Sequence, residues 1–335
     1  MNRFLAVALF ALATAAGVAA WGWWQYTHAP LALAEPEIEV EIAAGTAGQA
    51  VGAALRQQGV AVPAWQFALA LRLRGDAPRI RAGLYQLSDP ITLRQLLDRL
   101  TRGDVTLRDI TLIEGWTFKQ VRAALARSPD LRPDSAGLDD RAVLERIGAT
   151  ETHPEGLFAP DTYAFARGAS DLEVLRRAYR LQQRHLEQAW AERMSRPDPP
   201  PYRTPYDALI LASIVEKETG READRAKVAA VFVNRLRRGM MLQSDPTTIY
   251  GMGDAFDGDL RRRDLQTDTP YNTYTRTGLT PTPIAMPGRA SIVAALNPAP
   301  VPALYFVARG DGSSEFSNDL PAHNRAVARY QKKRP

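Results

Sequence analysis

The hydrophobic pattern opens with an almost unbroken apolar run from Phe4 to Trp24. About 20 apolar residues are enough to cross a bilayer as a helix, and the aromatic residues at the far end of the run are typical of a membrane interface. Arg3 precedes the run, so we expect the N-terminus to lie in the cytoplasm and the rest of the chain outside the cytoplasmic membrane. A cleaved signal peptide, with Ala19 and Ala20 at the cleavage site, is the alternative. The length of the run favours a retained single-pass anchor.

After this run, strand and helix patterns alternate over short distances. Residues 28–36 are rich in Pro and Ala and predict a spacer. Ile38 to Ile42 alternates as a strand does, and a helical pattern follows Gly45. The same order of strand, turn and helix recurs from Ile110 onward. We therefore expect small α+β modules, which could bind a glycan or serve as structural spacers.

Farther along, the stretch TPYDALILASIVEKETG carries the start and stop signals of a single helix, with Thr204 as its cap and Gly220 as its end. A helical wheel places Leu211 and Ile214 on a wide apolar face and Glu218 within the same sector. Burial among apolar groups raises the pKa of a carboxyl group and keeps it protonated, as a general acid requires. The alternative is a solvated residue at a frayed helix end.

A second glutamate lies close to the first on this helix. Glu216 and Glu218 are about 160° apart around the helix axis, so only one of them can face a cleft. Glu216 lies at the border of the apolar face and could tune the pKa of its neighbour, whereas Lys217 points to the opposite side. Because Glu218 lies within the apolar sector and Glu216 only at its border, Glu218 is the candidate acid.

The composition changes after a second helical pattern, Arg221 to Arg238. Residues 242–287 are dense in Pro, Gly, Thr, Asn and Tyr. So long a loop region is usually functional or disordered, and its aromatic residues favour an ordered one. Amide, hydroxyl and tyrosine groups suit hydrogen bonding and stacking with sugars, and self-satisfied turns are the alternative. Upstream, Pro154 to Phe165 could carry Asp161 toward a site or form a structural turn.

Composition excludes several kinds of site. The 335 residues include no cysteine, so disulfides and thiolate metal sites are excluded. The four histidines lack metal-ligand spacing, and we expect neither a metal nor a cofactor. The formal net charge of +5 is mild and most arginines stand beside acidic residues. Without a nucleic-acid motif, we expect no nucleic-acid partner.

Four segments together resemble one family. They are SIVEKETG, KVAAVFVNRLRRGMMLQSDPTTIYGMG, TPYNTYTRTGLTPTPIAMPG and LYFVARGDGSSEFSNDLPAHN, which cover most of Asp207 to Asn324. They are similar to segments of the YceG-like endolytic murein transglycosylases, the MltG type. Upstream, EGLFAPDTY resembles a further motif of that family, with one extra residue, Ala159.

The resemblance implies a reaction. Members of the family cleave the bond between N-acetylmuramic acid and N-acetylglucosamine without water or a cofactor, and they leave a 1,6-anhydro end. Their catalytic residue is the second glutamate of EKET, here Glu218. Chemistry and resemblance together lead us to expect sugar positioning by loop residues, namely Gln243, Asp245, Asn272, Thr273 and Tyr274. Glu216 and Asp161 are weaker, supporting candidates.

The resemblance also implies an architecture of the α+β class. We expect an N-terminal transmembrane helix, a small LysM-like α+β module, and a mixed α/β catalytic domain with a lysozyme-like helical core and long ordered loops. The expected parts are an anchor at 1–26, a linker at 27–37, the LysM-like module at 38–102, an intermediate α+β region at 103–200 and the catalytic region at 201–335. The implied partners are peptidoglycan glycan strands, the inner membrane and peptidoglycan synthases.

Two other functions stay open. A hydrolytic muramidase would use Asp245 or Asp161 to activate water, whereas a membrane-tethered scaffold would only bind glycan. The mass of the product distinguishes a muramidase from a transglycosylase, because the anhydro product is one water lighter than the hydrolysed one. A Glu218→Gln variant that loses turnover but still binds glycan would exclude the non-catalytic scaffold.

Overall fold

The computed structural model describes residues 2–43, 45–46, 48–104, 106–193 and 198–331. The chain divides into two compact units. Unit 1 comprises Met1–Asp109 and Ala164–Ala169, and unit 2 comprises Ile110–Tyr163 and Ser170–Pro335. Helices and short antiparallel strands occur along the chain, so the predicted α+β class is confirmed.

Unit 1 combines four helices and five strands among its described residues. The helices are α1 (Asn2–Thr27), α2 (Gly48–Gln57), α3 (Ala64–Arg74) and α4 (Leu93–Arg102), with a short 3₁₀ turn at Ala77–Arg79. The strands are β1 (Pro30–Leu33), β2 (Glu37–Ile42), β3 (Val60–Ala61), β4 (Gly83–Ser88) and β5 (Ile91–Thr92). Strand β1 pairs with β3 on one side and β5 on the other, and β2 pairs with β4, all antiparallel.

The core of unit 1 follows from the alternation of apolar residues in its strands. Val40 of β2 lies opposite Tyr85 of β4, and both side chains are fully buried. Phe67 of α3 and Leu97 of α4 belong to the same apolar cluster. Helix α4 begins with a reciprocal cap, in which Thr92 and the Gln95 side chain satisfy each other's backbone N–H groups.

The N-terminal apolar helix is confirmed. Within the described residues, α1 is long and apolar enough to cross a membrane over Val7–Thr27. The segment after it differs from the sequence expectation, because Pro30–Leu33 forms strand β1 inside the predicted linker. Leu31 is buried in the core of unit 1 and anchors this strand there. The boundaries expected for the LysM-like and intermediate regions stay predictions.

Unit 2 is mainly helical. Its helices are α5 (Phe118–Arg127), α6 (Asp140–Ile147), α7 (Asp171–Arg193), α8 (Pro205–Glu218), α9 (Glu222–Arg237), α10 (Asp245–Met252), α11 (Arg262–Gln266), α12 (Arg289–Leu296) and α13 (Leu320–Tyr330), with a 3₁₀ turn at Gly253–Ala255. Strands β6 (Leu107–Thr111) and β7 (Thr162–Ala166) pair with each other, and the division between the units passes through both. A C-terminal antiparallel hairpin is made by β8 (Tyr305–Ala308) and β9 (Ser314–Ser317).

Helix α8 lies at the centre of unit 2. It packs against α7, α9, α10 and α12, and every residue from 208 to 215 is buried. Thr204 caps its N-terminus and exchanges hydrogen bonds with Asp207, as the sequence predicts. Ser213 lies within the buried stretch, where its Oγ donates to Ile210 O and accepts from Ile284 N. This contact fastens the 280–287 loop to α8.

A second interior side chain holds two loops at once. Gln182 of α7 is fully buried, and its Nε2 donates to Gly156 O at 3.0 Å and to Pro287 O at 3.1 Å. The loop that carries Gly156 and the loop that ends at Pro287 are therefore joined through one amide. The 242–287 region is ordered around the short helices α10 and α11.

Gly156 sits where only glycine fits, and its replacement tests this packing. Its φ is +81°, and a Cβ there would lie 2.5 Å from Pro283 Cβ. Because the proline ring cannot move aside, we expect Gly156→Ala to lose about 1–3 kcal/mol from overpacking, in addition to about 1–2 kcal/mol for the left-handed backbone.

Gly148 provides the matched control for this measurement. Its φ is +80°, but nothing lies within 4 Å of its hypothetical Cβ. In thermal unfolding, Gly148→Ala should therefore show only the backbone cost. Equal destabilisation of the two variants would contradict the predicted clash with Pro283.

Candidate active site

The candidate acid lies at the end of the central helix. Glu218 is the last residue of α8, and the extended backbone of Thr219, at φ −150°, ends the helix there. Glu218 is partly buried, and its Oε1 accepts a hydrogen bond of 2.5 Å from Ser244 Oγ. The fold therefore brings the carboxyl group from the buried helix into contact with the start of α10.

The surroundings of Glu218 favour its protonated form. Burial raises its pKa to about 7, and the neighbouring Asp245 carboxylate acts in the same direction. The hydrogen bond from Ser244 and the positive charge of Arg235 oppose this effect but do not cancel it. A carboxyl group with a pKa near neutrality can both give and take a proton at physiological pH.

Hydrogen bonds to the backbone of Ser244 hold this residue in the position from which its hydroxyl reaches Glu218. It is buried, and its backbone N–H donates to Thr273 Oγ1 at 3.0 Å. Thr247 Oγ1 donates to Ser244 O and lies 2.8 Å from Thr273 Oγ1, so Thr273 must be the donor in that second bond. Serine commonly caps a helix through its side chain, but at the start of α10 the Ser244 hydroxyl makes no cap and binds Glu218 instead.

The residue before Ser244 has a strained backbone. Gln243 has φ +53° although it carries a side chain, and that side chain is exposed. Such conformations cost about 1–3 kcal/mol and are concentrated at functional sites. The Gln243 N–H donates to Thr273 O at 3.1 Å, which helps to hold this conformation. Gln243 is thus presented to solvent directly beside the Glu218–Ser244 pair.

A buried cation faces the same region from α9. Arg235 Nε donates to Leu304 O and Arg235 Nη1 donates to Leu242 O, each at 2.7 Å. Its guanidinium lies over the Tyr305 ring at 5.1 Å. Its hydrogen bonds among the described residues go to backbone carbonyls and to Gln243 Oε1 rather than to a carboxylate. Burial lowers its pKa, but an arginine remains cationic at neutral pH.

A carboxylate and a tyrosine form a pair on the outer side of the site. Tyr274 Oη donates to Asp245 Oδ1 at 2.6 Å. Burial and the nearby charges of Asp245 and Glu218 raise the pKa of the Tyr274 hydroxyl, so it remains a donor. Asp245 is exposed and begins α10, directly after Ser244. Both members of this pair are therefore close to Glu218.

Asn272 and Thr273 face the interior instead. The Asn272 amide donates to three backbone carbonyls, those of Asp264, Leu265 and Thr267, and its Oδ1 accepts from Tyr274 N. Thr273 holds the Gln243–Ser244 backbone. Their direct contact with substrate stays a prediction, and the hydrogen bonds that they make are those of residues that shape the loop.

The two supporting candidates point elsewhere. Glu216 Oε2 accepts from Gly288 N at 3.0 Å, at the N-terminus of α12. Asp161 is exposed and its Oδ1 accepts from the adjacent Thr162 N. Hydrogen bonding thus joins neither residue to Ser244, and their roles at the site stay predictions.

A second buried glutamate was not predicted from the sequence. Glu155 Oε1 accepts from Phe118 N at 2.9 Å, and its Oε2 accepts from Tyr250 Oη at 3.1 Å. Burial raises its pKa to about 7. Tyr250 lies at the far end of α10, whose near end carries Asp245, so Glu155 fixes the orientation of the helix that supports the site. Its place at the start of the EGLFAPDTY motif is the sequence signal that could have indicated it.

The site is of an acid–base type. Among the described residues, no group of His, Asp and Glu side chains could hold a metal ion. The side chains around Glu218 are hydroxyl, amide, carboxylate and guanidinium groups, which suit a hydroxyl-rich ligand such as a glycan. Fold and site together define an α+β protein in which a carboxyl group of raised pKa, Glu218, lies among polar loop side chains.

Comparison with known proteins identifies the family. The sequence pattern of the YceG-like family matches residues 40–329, and the chain belongs to this family, as its motifs predicted. A relative from Bacillus subtilis (strain 168), named endolytic murein transglycosylase, is 32% identical over 310 residues, covering 88% of this chain and 84% of the relative.

Two further proteins extend the comparison. A protein of the same name from Streptococcus pneumoniae serotype 2 (strain D39) is 26% identical over 326 residues, and the match covers 88% of this chain and 58% of that protein. The crystal structure of a YceG-like protein from Listeria monocytogenes matches with a TM-score of 0.55 and 29% identity, covering 86% of this chain and 98% of that one.

Replacement of Asn272 should affect folding. Because Asn272→Ala leaves three carbonyl groups in the loop without their donor, we expect a loss of about 2–3 kcal/mol in the free energy of unfolding. Tyr274→Phe removes only the hydroxyl that reaches Asp245, and it should cost about 1 kcal/mol or less. Thermal unfolding of both variants is the measurement. An unchanged melting temperature for Asn272→Ala would indicate that its amide serves the ligand rather than the fold.

The raised pKa of Glu218 predicts a pH-dependent stability. Its native pKa of about 7 lies above the ordinary value of 4.5, so stability falls as the pH rises through this interval. Glu218→Gln cannot ionise and should therefore be more stable than the wild type at pH 8, by at most about 3 kcal/mol. At pH 4 the two proteins should be close in stability. A difference that does not change with pH would contradict the burial of this carboxyl group.

Proposed function

We propose that this chain is a membrane-anchored endolytic murein transglycosylase. It cleaves the bond between N-acetylmuramic acid and N-acetylglucosamine in peptidoglycan strands without water and leaves 1,6-anhydro-muramic acid ends. The observation that carries the proposal is the Glu218 carboxyl group, with a pKa of about 7 and a hydrogen bond from Ser244. Membership of the YceG-like family and the names of its relatives support the same function.

In the first step, protonated Glu218 donates its proton to the glycosidic oxygen as the bond to the muramic acid C1 breaks. The N-acetylglucosamine leaves as an alcohol, and positive charge develops at C1. The new Glu218 carboxylate is stabilised by the Ser244 hydroxyl and by the charge of Arg235. Asp245, exposed beside them, is placed to stabilise the positive charge of the sugar.

In the second step, the Glu218 carboxylate removes the proton from the C6 hydroxyl of the muramic acid. The C6 oxygen bonds to C1 and closes the anhydro ring, and Glu218 returns to its protonated form. One carboxyl group performs both proton transfers, so no water and no second catalytic carboxylate are required. Acid–base assistance of this kind contributes about 10²- to 10⁴-fold to the rate.

The loop residues are assigned to sugar positioning within the same proposal. The exposed Gln243 side chain and the Asp245–Tyr274 pair would contact the glycan. Asn272 and Thr273 would act beneath them by holding the loop in place. Positioning contributes by keeping the C6 hydroxyl and C1 in a reactive geometry.

The architecture is completed by three further assignments. Helix α1 spans the inner membrane once, with the N-terminus in the cytoplasm and the catalytic region outside, as the Arg3 position and the aromatic far end favour. The region 38–102 is a LysM-like module that binds glycan, and the buried α8 with its packed neighbours forms a lysozyme-like helical core. Nascent strands near the membrane would then be the substrate, in contact with peptidoglycan synthases.

Product mass tests the reaction. Purified glycan strands digested with the wild type should yield products one water lighter than those of a hydrolase. Glu218→Gln keeps the size and the acceptor for Ser244 but cannot shuttle a proton, so we expect the anhydro product to fall by at least about 100-fold.

Glu216→Gln is the matched control, since it changes a carboxyl group on the same helix that hydrogen-bonds to Gly288 instead of Ser244. It should still give detectable anhydro product. Hydrolysed ends in the wild-type digest would favour the muramidase with Asp245 or Asp161 as base. Normal turnover by Glu218→Gln would overturn the assignment of the acid.

A further inference from the structure

Helix α3 of unit 1 is apolar on two opposite sides. Phe67 and Leu71 are buried in the core of the unit. Trp65, Leu69 and Leu73 lie four residues apart on the other side, and they are 61%, 48% and 79% exposed. Residues at this spacing form a single row along a helix. We call these three residues the α3 stripe.

The α3 stripe lies next to the end of the apolar helix α1. A groove of about 570 Å³ is lined by all three stripe residues and by the α1 segment from Val18 to Tyr26. Arg74, at the end of α3, donates from Nη1 to Tyr26 Oη at 2.7 Å and so ties the two helices together. The stripe is therefore fixed in position relative to α1.

The contact between α3 and α1 determines how deep the α3 stripe lies in the membrane. This step rests on the proposed function, in which α1 spans the membrane. The α1 residues that line the groove extend over about 12 Å along the helix axis, at 1.5 Å per residue. They are the last turns of the apolar run, where the aromatic residues gather. A helix beside these turns lies at the level where lipid headgroups meet the acyl chains.

We propose that the α3 stripe is a second membrane-contacting surface, which inserts into the outer face of the same bilayer that α1 crosses. Interfacial helices place Trp and Leu side chains at the acyl boundary and basic residues toward the phosphates. Helix α3 has this composition, because the exposed Arg72 accompanies the stripe in the last turn, whereas Arg74 is ion-paired with Asp76 and Asp98. We assign lipid as the partner that covers the stripe, because the stripe lies beside the part of α1 that reaches the membrane surface.

Two membrane contacts on one unit restrict its motion. A single membrane-spanning helix can tilt and rotate about its own axis in the bilayer, and unit 1, which is tied to α1, would move with it. Insertion of the α3 stripe fixes one face of the unit against the membrane surface and holds β1, which follows α1 directly, close to the headgroups.

Site-directed fluorescence on the full chain tests the proposal. Because the natural sequence contains no cysteine, single-cysteine variants can be labelled with an environment-sensitive dye without background. The variants are Leu69→Cys and Leu73→Cys in the stripe, Phe10→Cys in α1, and Leu107→Cys as an exposed apolar position outside the groove, 52% exposed. The labelled proteins are reconstituted into vesicles of phosphatidylethanolamine and phosphatidylglycerol that contain lipids with a spin label near the headgroup or deep in the acyl chain.

We expect dyes at 69 and 73 to emit at shorter wavelength and to lose most of their fluorescence to the shallow spin label. The dye at 107 should be quenched by neither lipid, and the dye at 10 should be quenched most by the deep label. Dyes at 69 and 73 that behave like the dye at 107 would overturn the proposal. A blue shift there without quenching would also overturn it, because a second protein copy would then cover the stripe. Loss of quenching at 10 would instead show that the membrane span itself is wrong.

Discussion

The site depends on the burial of one carboxyl group at the end of a helix that is itself buried. Residues 208–215 of helix α8 are buried and the helix packs against four neighbouring helices, so the start of its last turn is held in place. Glu218 also lies at the negative end of the helix dipole, which disfavours its ionised form. The loss of hydration on burial and the helix dipole therefore act together, and the hydrogen bond from Ser244 orients the group without forcing it to ionise.

The loops after α9 are held by hydrogen bonds from interior polar groups. The Asn272 amide and the Gln182 amide each satisfy more than one backbone group, and the Thr273 hydroxyl binds the Ser244 backbone N–H and the Thr247 hydroxyl. Loops built in this way are as constrained as regular elements, although they contain little regular structure. Glu218 comes from a packed helix and its hydrogen-bond donor Ser244 comes from a loop held by interior hydrogen bonds, an arrangement that is preorganised in the sense required for electrostatic stabilisation.

Local signals in the sequence predicted part of this arrangement well. The cap at Thr204 and the apolar spacing gave α8 and the side on which Glu218 lies, because caps and helical faces depend on residues close together in the chain. The sequence predicted a spacer where strand β1 lies. This prediction was wrong because the burial of β1 depends on pairing with distant strands rather than on its own composition. Arg235 stands among other arginines in NRLRR and looks like part of a solvated face, yet it is 7% exposed. Asn272 has the chemistry of a sugar ligand, but an amide binds backbone carbonyls equally well.

The left-handed backbone of Gln243 has a consequence for how this protein could change. Glycine at this position would relieve the strain of φ +53° and would stabilise the folded chain. It would also remove the side chain that accepts from Arg235 and leave the segment before Ser244 free to sample other conformations. Position 243 is therefore one where engineering for thermal tolerance and engineering for turnover pull in opposite directions, so a library selected only for heat resistance should be screened there with care.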